Sequence, residues 1–137
     1  MTPSPPSPAT GPLAPLAKQK AILLTTRKRD GTTVGTPVSI AVEGDHAYIR
    51  TYSSAWKVKR MRNFPEVEIA PSTMRGKRTG PVVRARVRLL DPGSAENTHA
   101  AQVIARKYPI VHGALVPFAH RLKRERTLHY EVRALDT

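Results

Sequence analysis

Apolar and polar residues alternate with a period of two along several short stretches of this chain, and that period predicts strands. Ala21-Ile22-Leu23-Leu24-Thr25-Thr26 opens the series as an apolar, β-branched run. Asp30-Gly31 follows as a hairpin signal, because glycine accepts the positive φ of a type I′ turn. Thr33 to Val42 returns as one second strand, and Gly44-Asp45 makes the next turn. His46 to Tyr52 forms a third, with Ala47, Ile49 and Thr51 on one face and Tyr48, Arg50 and Tyr52 on the other. The rhythm then becomes helical from Ser54 to Asn63, where Val58 and Met61 share a face, as do Trp56 and Arg60; Pro65 stops the helix.

Val67 to Ala70 reads as a short strand and 71–81 as a Gly/Pro-rich loop. Val82 to Leu90 alternates clearly: Val83, Ala85, Val87 and Leu89 against Arg84, Arg86 and Arg88. After Asp91-Pro92-Gly93, Ser94 can cap a helix running to about Lys107, which Tyr108-Pro109 breaks. Residues 110–124 read as a loop with one short helix. Thr127 to Leu135 closes the domain as a last strand, with Leu128, Tyr130 and Val132 inward. The fold class is therefore mainly β with minor α: about six antiparallel strands, two or three short helices, and a meander that hides its edges by closing into a barrel.

Composition sets the boundary of that domain. Residues 1–16 hold six of the thirteen prolines, mixed with Ser, Thr and Gly, and read as a disordered or weakly docked arm. Residues 17–137 form the barrel domain. At 39% apolar content a core is feasible but lean, so a homodimer is expected to share apolar surface. The chain has no cysteine, which excludes disulfides and thiolate metal sites and fits a cytoplasmic location. No apolar run is long enough for a membrane-spanning helix.

Charge narrows the partners. Against 10 Asp and Glu stand 23 Lys and Arg, a net charge of +13, which points to an anionic ligand. Nucleic acid is the first candidate, through the row Arg84, Arg86, Arg88. No aromatic residue interleaves with that row, as base stacking would require. A solvated outer face explains the row equally simply.

Two other places gather cations. At Arg50-Thr51-Tyr52-Ser53-Ser54-Ala55-Trp56-Lys57 a strand ends, two serines follow and a helix begins, with Lys57, Lys59 and Arg60 in its first turns. Cations are unfavourable at a helix N-terminus unless an anion sits among them. The serines are equally readable as plain helix caps, and spacing alone leaves both open. The loop Arg75-Gly76-Lys77-Arg78 offers three cations around a glycine, again as an anion contact or a solvated loop. The five histidines lack metal-ligand spacing, and no hydrolytic motif is present, so no metal and no catalytic residue is assigned. Any enzymatic reactivity has to come from a cofactor.

Three stretches then carry a resemblance: Leu23-Leu24-Thr25-Thr26 through Gly35-Thr36-Pro37-Val38, Arg50 through Arg60, and Ala70-Pro71-Ser72-Thr73-Met74-Arg75-Gly76-Lys77. Residues 18–135 resemble the split β-barrel superfamily typified by pyridoxamine phosphate oxidase, and more narrowly its deazaflavin-dependent branch. The resemblance implies a homodimer with its site between the two copies. It implies coenzyme F420 as cofactor, with FMN as the alternative, and hydride transfer to an unsaturated organic small molecule. Thr36, Pro37 and Val38 would lie along the flavin-like ring. Ser53, Ser54 and Lys57 would hold the phosphate, with Lys59 and Arg60 as further contacts, and Thr51 would also belong to the cofactor site. Arg75, Gly76 and Lys77 would flank the cofactor tail.

Overall fold

In the computed structural model, residues 8–108 and 126–135 are described. Seven antiparallel strands form one curled sheet: β1 (Ile22–Arg27), β2 (Thr33–Val38), β3 (Ile40–Glu43), β4 (His46–Tyr52), β5 (Glu66–Pro71), β6 (Val83–Leu89) and β7 (Thr127–Ala134). Their order across the sheet is β2-β1-β5-β6-β7-β4-β3. The two outermost strands are consecutive in the chain. Only Ser39 separates β2 from β3, so the single strand expected over 33–42 is real but bent. Its first half pairs with β1 and its second half with β4. One bent strand thus joins both ends of the sheet, which reconciles seven segments with about six expected strands.

The β1–β2 turn differs from the expected two-residue type I′ form. Gly31 donates its N–H to the Lys28 carbonyl, and Lys28 donates to the Thr32 carbonyl. Gly31 alone carries the positive φ, +90°, as in a three-residue loop with a glycine bulge. The Asp30 carboxylate accepts from both the backbone N–H and the hydroxyl of Thr32, which fixes the loop.

This turn also sets which groups of β2 are bonded. Counting from the Lys28–Thr32 pair, hydrogen-bonded and non-bonded pairs alternate along the ladder. Val34, Thr36 and Val38 fall opposite Thr26, Leu24 and Ile22 at bonded positions. Thr33, Gly35 and Pro37 then direct their backbone groups to the outer edge, where β2 has no ladder neighbour among the described residues. A proline there costs no ladder bond.

The main core lies inside the curl. Ile22, Leu24, Ile40, Ile49, Ile69 and Val132 are fully buried in it, with Ala85, Val87 and Tyr130. A second cluster sits under helix α2 (Ala95–Lys107), where Val103 and Ile104 meet Ala41, Tyr48 and Leu90. Ser94 caps α2 as expected, accepting from the Asn97 N–H. Along β6 the alternation fails at its end: Leu89 is 50% exposed and Leu90 is buried instead, because the chain turns under α2.

The arm contains more structure than its composition suggests. Residues Gly11–Leu16 form a 3-10 helix, and Leu13 and Leu16 are fully buried in the main core. Two leucines spaced by three residues suffice to dock a proline-rich turn, which composition averages conceal. The expected short helix within 110–124 lies outside the described residues.

Candidate functional site

Helix α1 (Trp56–Asn63) begins two residues later than the sequence pattern placed it. Ala55 is its N-cap, and no side chain caps it. The cap reading of the serines therefore fails. Ser53 and Ser54 lie in the turn before the helix, where Ser53 donates its N–H to the Arg126 carbonyl (2.9 Å) and its Oγ accepts from the Arg126 N–H (3.2 Å). This stitches the β4–α1 turn to the start of β7. Ala55 has no side-chain oxygen to cap the helix, and the Val58 N–H donates to the Ala55 carbonyl at 3.0 Å. Lys57 is half-buried there, and burial together with nearby Arg60 lowers its pKa. Thr51 is buried on β4 opposite Leu128.

The three residues expected along a cofactor ring do not share a face. Val38 is buried in the core and Thr36 points the same way, whereas Pro37 points outward. A flat ring can meet all three only along the strand's edge, the unpaired edge of β2. Among the described residues, the Thr36 hydroxyl oxygen is the buried side-chain polar atom without a hydrogen-bond partner. An orphaned buried hydroxyl costs about 1–3 kcal/mol, and this one sits on β2, the strand with the open edge.

The loop after β5 closes over the outer face of β2. Ser72 and Arg78 bridge its base, and Thr73 donates to the Lys77 carbonyl. Gly76 takes φ +90°, and a Cβ added there would stand 3.3 Å from Pro37 Cδ. Glycine is thus favoured by conformation, and the contact with Pro37 leaves a side chain little room. Arg75 and Lys77 flank it, exposed. The structure therefore brings the Arg75-Gly76-Lys77 loop to Pro37, two regions that the sequence kept apart.

Lys59 and Arg60 face a different setting. They line an open cleft of about 540 Å³ with Arg27, Lys28, Arg29, Val34, Trp56 and Asn63. Arg60 is anchored by a 2.6 Å hydrogen bond from its Nε to Thr26 Oγ1. The sequence reading missed Arg27, Lys28, Arg29 and Trp56. A signal existed, since three consecutive cations precede Asp30-Gly31, but their nearness to α1 is tertiary.

The arginine row is not a free cationic face. Arg84 and Arg86 stand opposite Glu68 and Glu66 in the ladder, with Arg86 and Glu66 3.8 Å apart. Arg88 pairs with Glu96 and with Glu131. Cross-strand carboxylates answer this row.

No family model and no curated protein matches this sequence. Solved structures do. The haem storage protein HutZ of Vibrio cholerae superposes with a TM-score of 0.67 at 8% identity, over 88% of this chain and 84% of that one. An FAD-binding protein of Mesorhizobium loti gives 0.64 at 16% identity, over 88% and 85%. An F420 reductase gives 0.56 at 14% identity, over 93% and 97%. At these identities the likeness establishes the fold. The chain has the split β-barrel architecture of the pyridoxamine phosphate oxidase type, the fold that the sequence resemblance implied.

Proposed function

We propose that this protein binds a flavin-type cofactor, coenzyme F420 ahead of FMN, and transfers hydride between it and an unsaturated organic molecule. The observation that carries this reading is the unpaired edge of β2 with the orphaned Thr36 hydroxyl beside it. The residues present fit the group. A ring laid along that edge finds backbone donors and acceptors at Gly35, a carbonyl at Pro37, and the Thr36 hydroxyl. Its phosphate finds Lys57, the uncapped start of α1 and the O–H groups of Ser53 and Ser54. Arg75 and Lys77 stand over the same strand for an acidic tail, which FMN lacks and F420 has.

Bound in this way, the deazaflavin ring would supply the hydride chemistry. The protein's share is to orient the ring, neutralise its anionic groups and exclude water. A second copy would complete the site as a homodimer. Met74, 67% exposed in the loop that covers Pro37, is an apolar side chain at which that copy can seal the ring from solvent.

Titrating the protein into F420 while following the coenzyme's fluorescence tests this directly. Saturable binding tighter than that of FMN is expected. Absence of binding at about 10 µM protein, a level at which a functional cofactor site is largely occupied, would sink it. A flavin-holding protein without turnover is the second reading, favoured by the haem storage protein that shares the fold. It expects FMN to bind at least as tightly as F420.

A further inference from the structure

Helix α1 presents two unlike cationic surfaces. Lys57 belongs to the β4–α1 turn. Trp56, Lys59, Arg60 and Asn63 recur at i, i+3, i+4 and i+7 on another face, and all four line the cleft against the β1–β2 hairpin. Across from them stand Arg27, Lys28 and Arg29.

Five cations therefore border one cleft, and no carboxylate among the described residues lines it. No ion pair among the described residues involves any of the five. Asp30, the nearest acid along the hairpin, is held by hydrogen bonds from Thr32 and acts electrostatically on Lys28 alone of the five. Elsewhere the fold does the opposite and sets glutamates opposite Arg84, Arg86 and Arg88. Like charges left together raise the free energy of the empty protein. A single phosphate takes about one to three charge-assisted hydrogen bonds, so five cations suit a ligand with several anionic groups.

Trp56 adds the second half of the description. Its ring is 73% exposed although it borders the cleft, and Lys59 Nζ lies 5.9 Å from the ring centroid. An exposed indole beside cations is a stacking surface for a flat, electron-poor ring. The volume, about 540 Å³, lies inside the range of roughly 300–1,000 Å³ usual for compact ligands. Toward β5 the cationic zone ends at Glu66 and Glu68, which border the neighbouring hollows. A zone so bounded suits a small molecule rather than a polymer that needs a continuous track.

We propose that the cleft formed by Arg27, Lys28, Arg29, Trp56, Lys59 and Arg60 binds a nucleoside polyphosphate, its base on Trp56 and its phosphates among the five cations. This ligand is distinct from the ring along β2, and Lys59 and Arg60 serve it rather than the cofactor. The assignment does not depend on the cofactor reading.

Trp56 is the only tryptophan in the chain, so its fluorescence reports on the cleft directly. The test is titration with magnesium-free ATP, with adenosine and inorganic tripolyphosphate as controls followed by calorimetry. Saturable quenching by ATP is expected, with each half-ligand at least tenfold weaker. The doubly exposed variant Arg29→Gln/Lys59→Gln should weaken ATP at least tenfold while its circular dichroism stays unchanged. Equal affinity for tripolyphosphate would overturn the role of Trp56, and an unaffected double variant would overturn the site. Affinity for single-stranded RNA that rises with length beyond that of ATP would assign the cleft to nucleic acid and overturn the proposal. Repeating the titration with F420 or FMN at saturation separates the two readings. An unchanged ATP curve supports two sites. Displacement of ATP by the cofactor overturns this proposal and leaves the cofactor reading standing.

Discussion

Thr36 and Lys57 are the two residues where the cofactor reading is most exposed to test. The Thr36 hydroxyl is buried with nothing to bond, so Thr36→Val should stabilise the cofactor-free protein by about 1 kcal/mol. The same change should weaken cofactor binding. Urea unfolding and fluorescence titration read the two effects, and a valine variant that loses stability would mean that the hydroxyl has a structural partner. Lys57→Ala should cost about 1.5–3 kcal/mol of cofactor affinity, the range for hydrogen bonds to charged groups. An unchanged dissociation constant would remove Lys57 from the site.

At the level of elements, two attachments deserve measurement. The 3-10 helix is held by Leu13 and Leu16, both fully buried; Leu13→Ala should destabilise the fold by about 2–5 kcal/mol in urea. Helix α2 ends in Lys107, whose Nζ donates to the Ile40 carbonyl at 2.6 Å. Burial pushes its pKa down from 10.5 to about 8. The unfolded chain thus binds more protons than the folded one between about pH 8 and 10.5, and stability should rise with pH across that window. Below pH 8 the charged amine is carried at a cost. Lys107→Met should flatten this rise, as read from urea midpoints at pH 7.5 and 10.

The elements were legible to very different degrees. Strand β1 announced itself through its apolar, β-branched run, β4, β6 and β7 through alternation, and α2 through Ser94, because those signals are local. The bend at Ser39 was not legible: both halves of 33–42 have strand composition, and only their separate partners, β1 and β4, divide them. The α1 start was misread because Ser53 bonds to Arg126, 73 residues away, a demand invisible in the local pattern. Among site residues, the nearness of Gly76 to Pro37 was hidden for the same reason. So was the cleft, which needs a hairpin and a helix to meet.

For the whole molecule, the excess of positive charge is not spread evenly. The β5–β6 face balances its arginines with glutamates, while among the described residues the cations of the α1 and hairpin side form no ion pair. The proposed homodimer belongs to this scale. Sedimentation equilibrium should return about twice the chain mass of 15.1 kDa, and a monomer at about 10 µM, ample for a stable dimer, would leave the ring strand open to water. No helix among the described residues is long and apolar enough to cross a membrane.

The bend at Ser39 has one more consequence. By handing the strand from β1 to β4, it leaves β2 with a bare rim, the kind of surface on which stray chains template themselves. Pro37 sits near the end of that rim and offers no N–H to an intruder. The residue that borders the ligand would then also act as a sentinel against fibril-like stacking. Replacing it with valine should leave the fold intact and make the protein clump on storage.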